Sequence, residues 1–140
     1  MIYCDTSLLV TALTDEDRSA QVHVWLTTRN EGELCISPWV ISEFSSALAI
    51  KLRSGAVPVA ERGRMLSNWH VLRQDHLVIV AVPETAFTLA AQFCDRYESR
   101  LRAGDALHLA VASLGGHSLA TLDRTMAEAA VAVGVGVIPV

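Results

Sequence analysis

Short runs of strand-forming residues alternate with longer stretches of helical character along the whole chain, and this alternation limits the possible folds most strongly. Strands that alternate with helices form a parallel sheet whose two faces are covered by those helices. The predicted strands are 2–5, 33–37, 77–82, 118–121 and 135–140. The predicted helices are 6–13, 15–29, 38–53, 58–75, 83–100, 103–115 and 123–133. The sequence therefore predicts an α/β protein with a mainly parallel sheet.

Local signals support several of these boundaries. Ser37 is suited to cap the helix that Pro38 begins, and Gly55 follows its predicted end. The run 77–82 is continuously apolar and rich in β-branched residues, which is typical of a strand buried on both faces. The helix predicted over 15–29 begins with acidic residues that favour a helix N-terminus, namely Asp15, Glu16 and Asp17.

The length and composition predict a single domain, 1–140, that acts in the cytoplasm. The chain has 140 residues, of which 51% are hydrophobic and 19% charged, so it can bury one core and is not disordered. Its longest apolar run, 129–140, is shorter than the roughly 20 residues that cross a membrane, and no secretory leader is recognisable. Three cysteines without metal-binding spacing indicate reduced thiols: Cys4, Cys35 and Cys94.

The net charge argues against nucleic-acid binding by charge attraction alone. The chain carries 11 basic and 15 acidic residues, a net charge of -4, whereas such proteins are usually basic. Any contact with nucleic acid must then depend on a local basic patch, a metal ion or a basic partner. Only one basic residue, Lys51, is a lysine, which leaves little room for Schiff-base chemistry or a phosphate-binding loop.

Four acidic residues are predicted to meet at one edge of the sheet. Asp5 closes the first strand, and Asp123 follows the fourth strand by two residues. Glu43 lies in the second turn of the helix after strand two, and Asp105 in the first turn of a later helix. Parallel α/β sheets place functional groups beyond the C-terminal ends of their strands, where these helices also begin. The four carboxylates are therefore expected to line one crevice.

Each acid also has a purely structural explanation. Asp5 and Asp123 could cap the helices that follow them, Asp105 could complement a helix dipole, and Glu43 could be a solvated helix residue. The apolar segments around Asp5 and Asp105 favour a functional role, because buried acids are costly unless they are paired or bind metal.

Clustered carboxylates predict a divalent metal site. They repel one another and their pKa values rise unless a cation neutralises them, and no lysine is expected nearby. Carboxylate oxygens suit Mg²⁺ or Mn²⁺, which can activate water and stabilise a leaving oxygen in phosphoryl transfer. The hydroxyls of Thr6, Ser7 and Thr121 could orient the ligands, although Thr6 and Ser7 could equally be plain helix caps. His108, three residues after Asp105, is expected to be a core histidine or one that supports a ligand.

The chain resembles the PIN-domain family, and in particular the VapC-type toxins of bacterial VapBC toxin–antitoxin pairs. The resemblance rests on the opening Ile-Tyr-Cys-Asp5-Thr-Ser, on Ser42-Glu43, on Leu-Arg-Ala-Gly-Asp105-Ala-Leu-His-Leu-Ala, and on Leu-Ala-Thr-Leu-Asp123. Each motif alone is weak, but together they span the chain in family order.

The resemblance implies a three-layer α/β/α sandwich and an Mg²⁺- or Mn²⁺-dependent endoribonuclease that inhibits translation. It implies that Asp5, Glu43, Asp105 and Asp123 are the catalytic metal ligands, with Asp123 bound directly or through water. It further implies a homodimer and a VapB-like antitoxin whose tail occupies the acidic groove. The RNA would then be held by arginines near the motifs, for which the candidates are Arg53, Arg100, Arg102 and Arg124.

Other functions remain as alternatives. One is a non-catalytic PIN-like binding module, and another is a different metal-dependent phosphohydrolase. A phosphatase or receiver domain that uses Asp5 as a covalent acceptor fits less well, because Ser7 stands where such phosphatases have a second Asp. The sequence does not define the RNA target, the number of metal ions or the antitoxin.

Overall fold

The central element of the fold is a parallel sheet, seen in a computed structural model that describes residues 1–14 and 17–140. Within these residues four strands lie in the order β3-β2-β1-β4, and all pairs are parallel. The strands are β1 (Ile2–Cys4), β2 (Leu34–Ile36), β3 (Val78–Ile79) and β4 (Ser118–Ala120). The predicted α/β class with a parallel sheet is confirmed.

Helices cover both faces of the sheet and form the outer layers of an α/β/α sandwich. In the described part of the chain they are α1 (Thr6–Leu13), α2 (Ser19–Thr27), α3 (Pro38–Arg53), α4 (Arg62–His76), α5 (Glu84–Asp95), α6 (Ala103–Leu114) and α7 (Arg124–Ala132). Two 3₁₀ turns, Val59–Glu61 and Tyr97–Ser99, precede α4 and α6. Helices α1 and α2 pack together, as do α5 and α6.

The sequence pattern explains why these segments form these elements. Strands β1 and β2 are buried along their whole length, and β1 lies between two neighbours, so apolar side chains face both helical layers. Helix α3 begins at Pro38, which lacks the N–H that the first helical turn cannot satisfy. Basic residues Lys51 and Arg53 lie in its last turn, where their positive charges interact favourably with the negative end of the helix dipole.

Two strand predictions are wrong in detail. The segment 77–82, predicted as a strand buried on both faces, forms only Val78–Ile79 at the sheet edge, where these residues are 40% and 51% exposed. The segment 135–140 forms a single parallel bridge between Leu119 and Val137 rather than a strand. Pro139 has no N–H to donate, which limits pairing at this end.

Several smaller expectations can also be compared with the structure. Asp15 and Glu16, predicted at the start of a helix over 15–29, lie outside the described residues; the helix there is Ser19–Thr27. The three cysteines are free thiols. Across residues 1–14 and 17–140, no helix combines the length and apolar character that crossing a membrane requires.

Candidate active site

The four acidic residues converge on one cleft. Asp5 follows β1 and caps α1, Asp123 follows β4 and caps α7, Asp105 lies in the first turn of α6, and Glu43 lies in α3. All four line a cleft of about 470 Å³. The other lining residues are Thr6, Ser7, Val10, Thr11, Ser46, Ala47, Ile50, Lys51, His108 and Met126.

Asp5 is the most deeply buried of the four. Its side chain accepts hydrogen bonds from Ser7 Oγ at 2.9 Å, Thr121 Oγ1 at 2.8 Å and the Leu8 backbone N–H at 3.1 Å. The residue is only 2% exposed, and this desolvation raises its pKa although the hydrogen bonds partly offset the effect. The carboxylate is therefore a fixed oxygen donor whose negative charge is only partly compensated.

Glu43 is held by two strong donors. Thr6 Oγ1 donates to its Oε2 at 2.6 Å, and His108 Nε2 lies 2.6 Å from the same oxygen. Burial raises the pKa of Glu43, but the hydrogen bonds from His108 and Thr6 outweigh it, so the pKa is lowered overall. The Glu43 carboxyl is therefore ionised near neutral pH and its orientation is defined.

Asp105 and Asp123 lie on the more open side of the cleft. Burial raises the pKa of Asp105, and the negative charges of Asp123 and Glu43 raise it further. Asp105 Oδ2 accepts from the Arg102 backbone N–H at 3.4 Å, and Asp123 Oδ1 accepts from the Met126 N–H at 2.9 Å. Asp123 therefore has the helix-capping role that the sequence allowed, Asp105 lies in the first helical turn where it complements the dipole, and both also line the cleft.

Side-chain hydroxyls connect the acids. Thr121 Oγ1 donates to Asp5 and accepts from the Asp123 backbone N–H at 2.9 Å. Ser7 Oγ donates to Asp5 and accepts from the Leu122 N–H at 3.1 Å. The hydroxyls predicted to orient the acids thus contact them directly and tie β4 to α1.

Three polar residues near the site were missed by sequence reasoning. Tyr3 and Ser37 are fully buried, and the Tyr3 hydroxyl forms hydrogen bonds with both Ser37 Oγ and His108 Nδ1. Ser37 occupies the predicted cap position of α3, but its side chain makes no capping hydrogen bond and contacts Tyr3 instead, and nothing in the local sequence marks either residue as part of such a connection. Lys51 lines the cleft, contrary to the expectation that no lysine lies near; its spacing of eight residues from Glu43 places both on one face of α3.

The four arginines proposed to bind RNA lie outside the lining of this cleft. Arg53 and Arg102 are exposed at the end of α3 and the start of α6, respectively. Arg100 lines a separate depression together with Arg96, and exposed Arg124 donates to Glu128 at 2.9 Å.

The donor chemistry of the cleft fits a hard divalent cation. Every predicted ligand is a carboxylate, the donor type that Mg²⁺ and Mn²⁺ prefer, and the raised pKa values of Asp5 and Asp105 mark charge that a cation would stabilise. Among the described residues, however, no three His, Cys, Asp or Glu side chains are already arranged as a closed ligand set. The oxygens of Asp5 and the Oε2 of Glu43 instead accept hydrogen bonds from neighbouring side chains.

Comparison with known proteins identifies the domain family and similar folds. The PIN domain profile matches residues 2–132, whereas no curated protein matches in sequence. VapC20 from Mycobacterium tuberculosis, described as a sarcin–ricin loop cleaving toxin, has a similar structure with a TM-score of 0.73, 16% identity and coverage of 99% of this chain and 98% of that chain. PAE2754 from Pyrobaculum aerophilum gives a TM-score of 0.70 at 25% identity, covering 99% and 82%. VapBC2 from Rickettsia felis, solved with a promoter DNA fragment, gives 0.66 at 17% identity, covering 99% and 98%.

Proposed function

The chain belongs to the PIN domain family, and from this premise we propose that it is a metal-dependent endoribonuclease acting as the toxin of a type II toxin–antitoxin pair. The observation that carries the proposal is the convergence of Asp5, Glu43, Asp105 and Asp123 from four separate segments on one cleft. Burial raises the pKa values of Asp5 and Asp105, so their charged forms are costly to keep in the cleft, which argues that the cleft serves binding or catalysis.

The four carboxylates would hold Mg²⁺ or Mn²⁺, which when bound supplies charge neutralisation and Lewis acidity toward an RNA phosphodiester. Asp5 and Glu43 would form the rigid part of the site, because buried hydroxyls and His108 already orient them. Asp105 and Asp123 would complete it from the open side. Thr6, Ser7 and Thr121 would act by holding the acids in place rather than by touching RNA.

The substrate and partner follow from the same proposal. VapC20 is described as cleaving the sarcin–ricin loop, and VapBC2 is a two-component complex, so we expect structured RNA and a VapB-like antitoxin here. A basic antitoxin tail would be attracted to the acidic cleft and would block it. We also expect a homodimer that acts in the cytoplasm, inhibits translation and contacts RNA phosphates through Arg53, Arg100, Arg102 and Arg124.

The test is RNA cleavage by the purified chain without any partner. Total cellular RNA is incubated with Mg²⁺ or Mn²⁺, with EDTA, and with the Asp5→Asn variant. The matched control is Asp75→Asn, which changes an exposed acid on α4 that does not line the cleft. We expect cleavage with metal by the wild type and by Asp75→Asn only. Equal cleavage under all conditions would refute the metal site.

A non-catalytic binding module is the second candidate, favoured by the absence of a preassembled ligand set among the described residues. It predicts no cleavage with any metal, together with undiminished binding to a small protein encoded beside it. Co-expression with the neighbouring reading frames, followed by size-exclusion chromatography, distinguishes the two and also tests the antitoxin and the homodimer.

A further inference from the structure

A continuous chain of hydrogen bonds runs from the core of the protein to the cleft. The hydroxyl of Tyr3 lies 2.7 Å from Ser37 Oγ and 2.9 Å from His108 Nδ1. On the other side of the ring, His108 Nε2 lies 2.6 Å from Glu43 Oε2. Tyr3 and Ser37 are 0% exposed and His108 is 2% exposed, so water cannot replace these partners.

The groups at the two ends of this series of hydrogen bonds determine which atoms donate. Glu43 Oε2 already accepts from Thr6 Oγ1 and lies 2.6 Å from His108 Nε2, so the imidazole must donate to this oxygen and carries a proton on Nε2. A neutral ring then has a lone pair on Nδ1, and a donor must face it. Burial raises the pKa of Tyr3, so its hydroxyl keeps a proton to donate. Ser37 can in turn donate to the Tyr3 oxygen, which satisfies every member.

We propose that Tyr3 is a positioning residue whose hydroxyl, 2.9 Å from His108 Nδ1, holds the imidazole ring in the orientation in which Nε2 donates to Glu43 and fixes that carboxylate in the cleft. The opposite tautomer would place the Nε2 lone pair 2.6 Å from Glu43 Oε2, where two acceptors repel. The catalytic consequence rests on the function proposed above, but the tautomer does not. A group hydrogen-bonded behind a ligand, as His108 is behind Glu43, typically changes metal affinity about 10- to 100-fold when it is removed, and Tyr3 acts on Glu43 through this group.

The direct test is the tautomer itself. Long-range ¹H–¹⁵N correlation spectra of the ¹⁵N-labelled chain report which ring nitrogen of each histidine carries the proton, and the His108→Gln variant identifies the His108 signals. We expect a protonated Nε2 and an unprotonated Nδ1 in the wild type. In Tyr3→Phe, which keeps the ring but removes the hydroxyl, we expect the proton to stay on Nε2, because Glu43 still faces it, and the His108 signals to shift and broaden because the ring is no longer held at Nδ1. Ser37→Ala should leave the tautomer unchanged, because Tyr3 can still donate.

The functional test is Mn²⁺ affinity by isothermal titration calorimetry, measured beside thermal stability. Tyr3→Phe should bind Mn²⁺ about tenfold more weakly than the wild type. The matched control is Tyr97→Phe, which removes the same hydroxyl from the other tyrosine, 80% exposed and distant from the cleft lining. It should change nothing.

Several results would overturn the proposal. One is a wild-type His108 that carries its proton on Nδ1 or on both nitrogens at neutral pH. This measurement needs only the His108→Gln variant for assignment and remains decisive even if Tyr3→Phe does not fold. Another is a Tyr3→Phe protein that loses stability but keeps both the wild-type His108 signals and the Mn²⁺ affinity, because that pattern describes a merely structural hydroxyl. An absence of ribonuclease activity in the wild type would contradict the proposed function alone and would leave the tautomer result standing.

Discussion

Gly104 is the position where one added carbon would disturb the cleft most directly. It is the second residue of α6, and a Cβ placed there would lie 2.9 Å from Glu43 Oε1 and 3.4 Å from Trp39 Cζ2. The indole N–H of Trp39 lowers the pKa of Glu43 but makes no well-formed hydrogen bond to any described residue, so it does not lock the carboxylate. Gly104→Ala must therefore push Glu43 away.

The size of the displacement follows from contact distances. A carbon and a carboxylate oxygen rest at about 3.3 Å or more, so the oxygen must retreat by about 0.4 Å from where it now lies. The other oxygen is held at 2.6 Å by both Thr6 and His108, so the retreat distorts two hydrogen bonds to a charged group. Catalytic groups need to be held within about 0.5 Å, and a shift of this order is expected to lower cleavage about tenfold.

The same substitution should reduce cleavage without a matching loss of stability, so a displaced Glu43 can be distinguished from a protein that is simply unfolded. Alanine in place of a helical glycine raises the free energy of unfolding by about 0.4–1 kcal/mol, and strain at Glu43 offsets this gain in Gly104→Ala. The matched control is Gly63→Ala, at the second residue of α4, because a Cβ there meets no described atom within 4 Å. We expect Gly63→Ala to raise Tm by about 1–4 °C with full activity.

Both variants are compared with the wild type by thermal denaturation, RNA cleavage and Mn²⁺ titration. Gly104→Ala should show a Tm near the wild-type value together with a clear loss of cleavage and of Mn²⁺ affinity. If Gly104→Ala cleaves RNA as well as Gly63→Ala does, Glu43 does not need its present position and the reasoning is refuted. A large loss of Tm in Gly104→Ala would show that the strain is not absorbed at Glu43.

Three further predictions follow from the site. Thr121→Val removes the hydroxyl between Asp5 and the Asp123 N–H, and should cost about 1–3 kcal/mol in urea unfolding and lower kcat, whereas exposed Thr125→Val should change neither. Burial raises the pKa of Asp5 above its ordinary 3.8, so the folded state binds more protons than the unfolded state. The contribution of Asp5 to the free energy of unfolding therefore falls as the pH rises from 3.8 through the raised pKa. Asp5→Asn in EDTA should therefore match the wild type below pH 3.8 and exceed its unfolding free energy at neutral pH, and a difference independent of pH would contradict this sign. Asp123→Asn keeps a good helix cap and should retain the wild-type Tm. Because Asp123 is exposed, this variant should lose less Mn²⁺ affinity than Asp5→Asn. Equal losses in calorimetry would show that exposure does not determine how much each acid contributes to Mn²⁺ affinity.

The parts of the fold that the sequence predicts well are those with local physical signals. Helices α1 and α3 have their predicted bounds, 6–13 and 38–53, because Asp5 caps the first and Pro38 begins the second. The helix predicted over 83–100 instead ends at Asp95 and is followed by a 3₁₀ turn. Arg100 ends that turn with a φ of 56°, a conformation usually left to glycine, so no residue type announces the change.

Strand order is a matter of tertiary context that composition does not encode. The apolar residues of 77–82 indicate strand formation but not whether a neighbour lies on each side. Because β3 pairs only with β2 in the described sheet, Val78 and Ile79 are exposed at its edge. The convergence of the acids, by contrast, depends only on the direction of parallel strands, which the alternation of strands and helices does predict.

The hydrogen bonds that support Glu43 from behind were less predictable for a related reason. Tyr3 and Ser37 belong to β1 and to the cap position of α3, and only the packing of α6 against these elements brings His108 to them. Contacts between residues 105 positions apart, as for Tyr3 and His108, leave no periodic trace in the chain. Spacing within one helix does leave a trace, and it indicates that Lys51 shares the face of Glu43.

The competing explanations for the acids turn out to be compatible, and their combination explains how the cleft folds. Asp5 and Asp123 cap α1 and α7, and Asp105 lies in the first turn of α6, so three positive helix ends face the cleft and offset the repulsion among these carboxylates. Glu43 lies in the second turn of α3, beyond the reach of that helix's N-terminal N–H groups, and it is the acid that receives His108 and Thr6 instead. Each carboxylate thus has its own local source of positive potential before any cation binds. The same groups would keep the four acids in place when a metal ion leaves, so the cleft can persist without one.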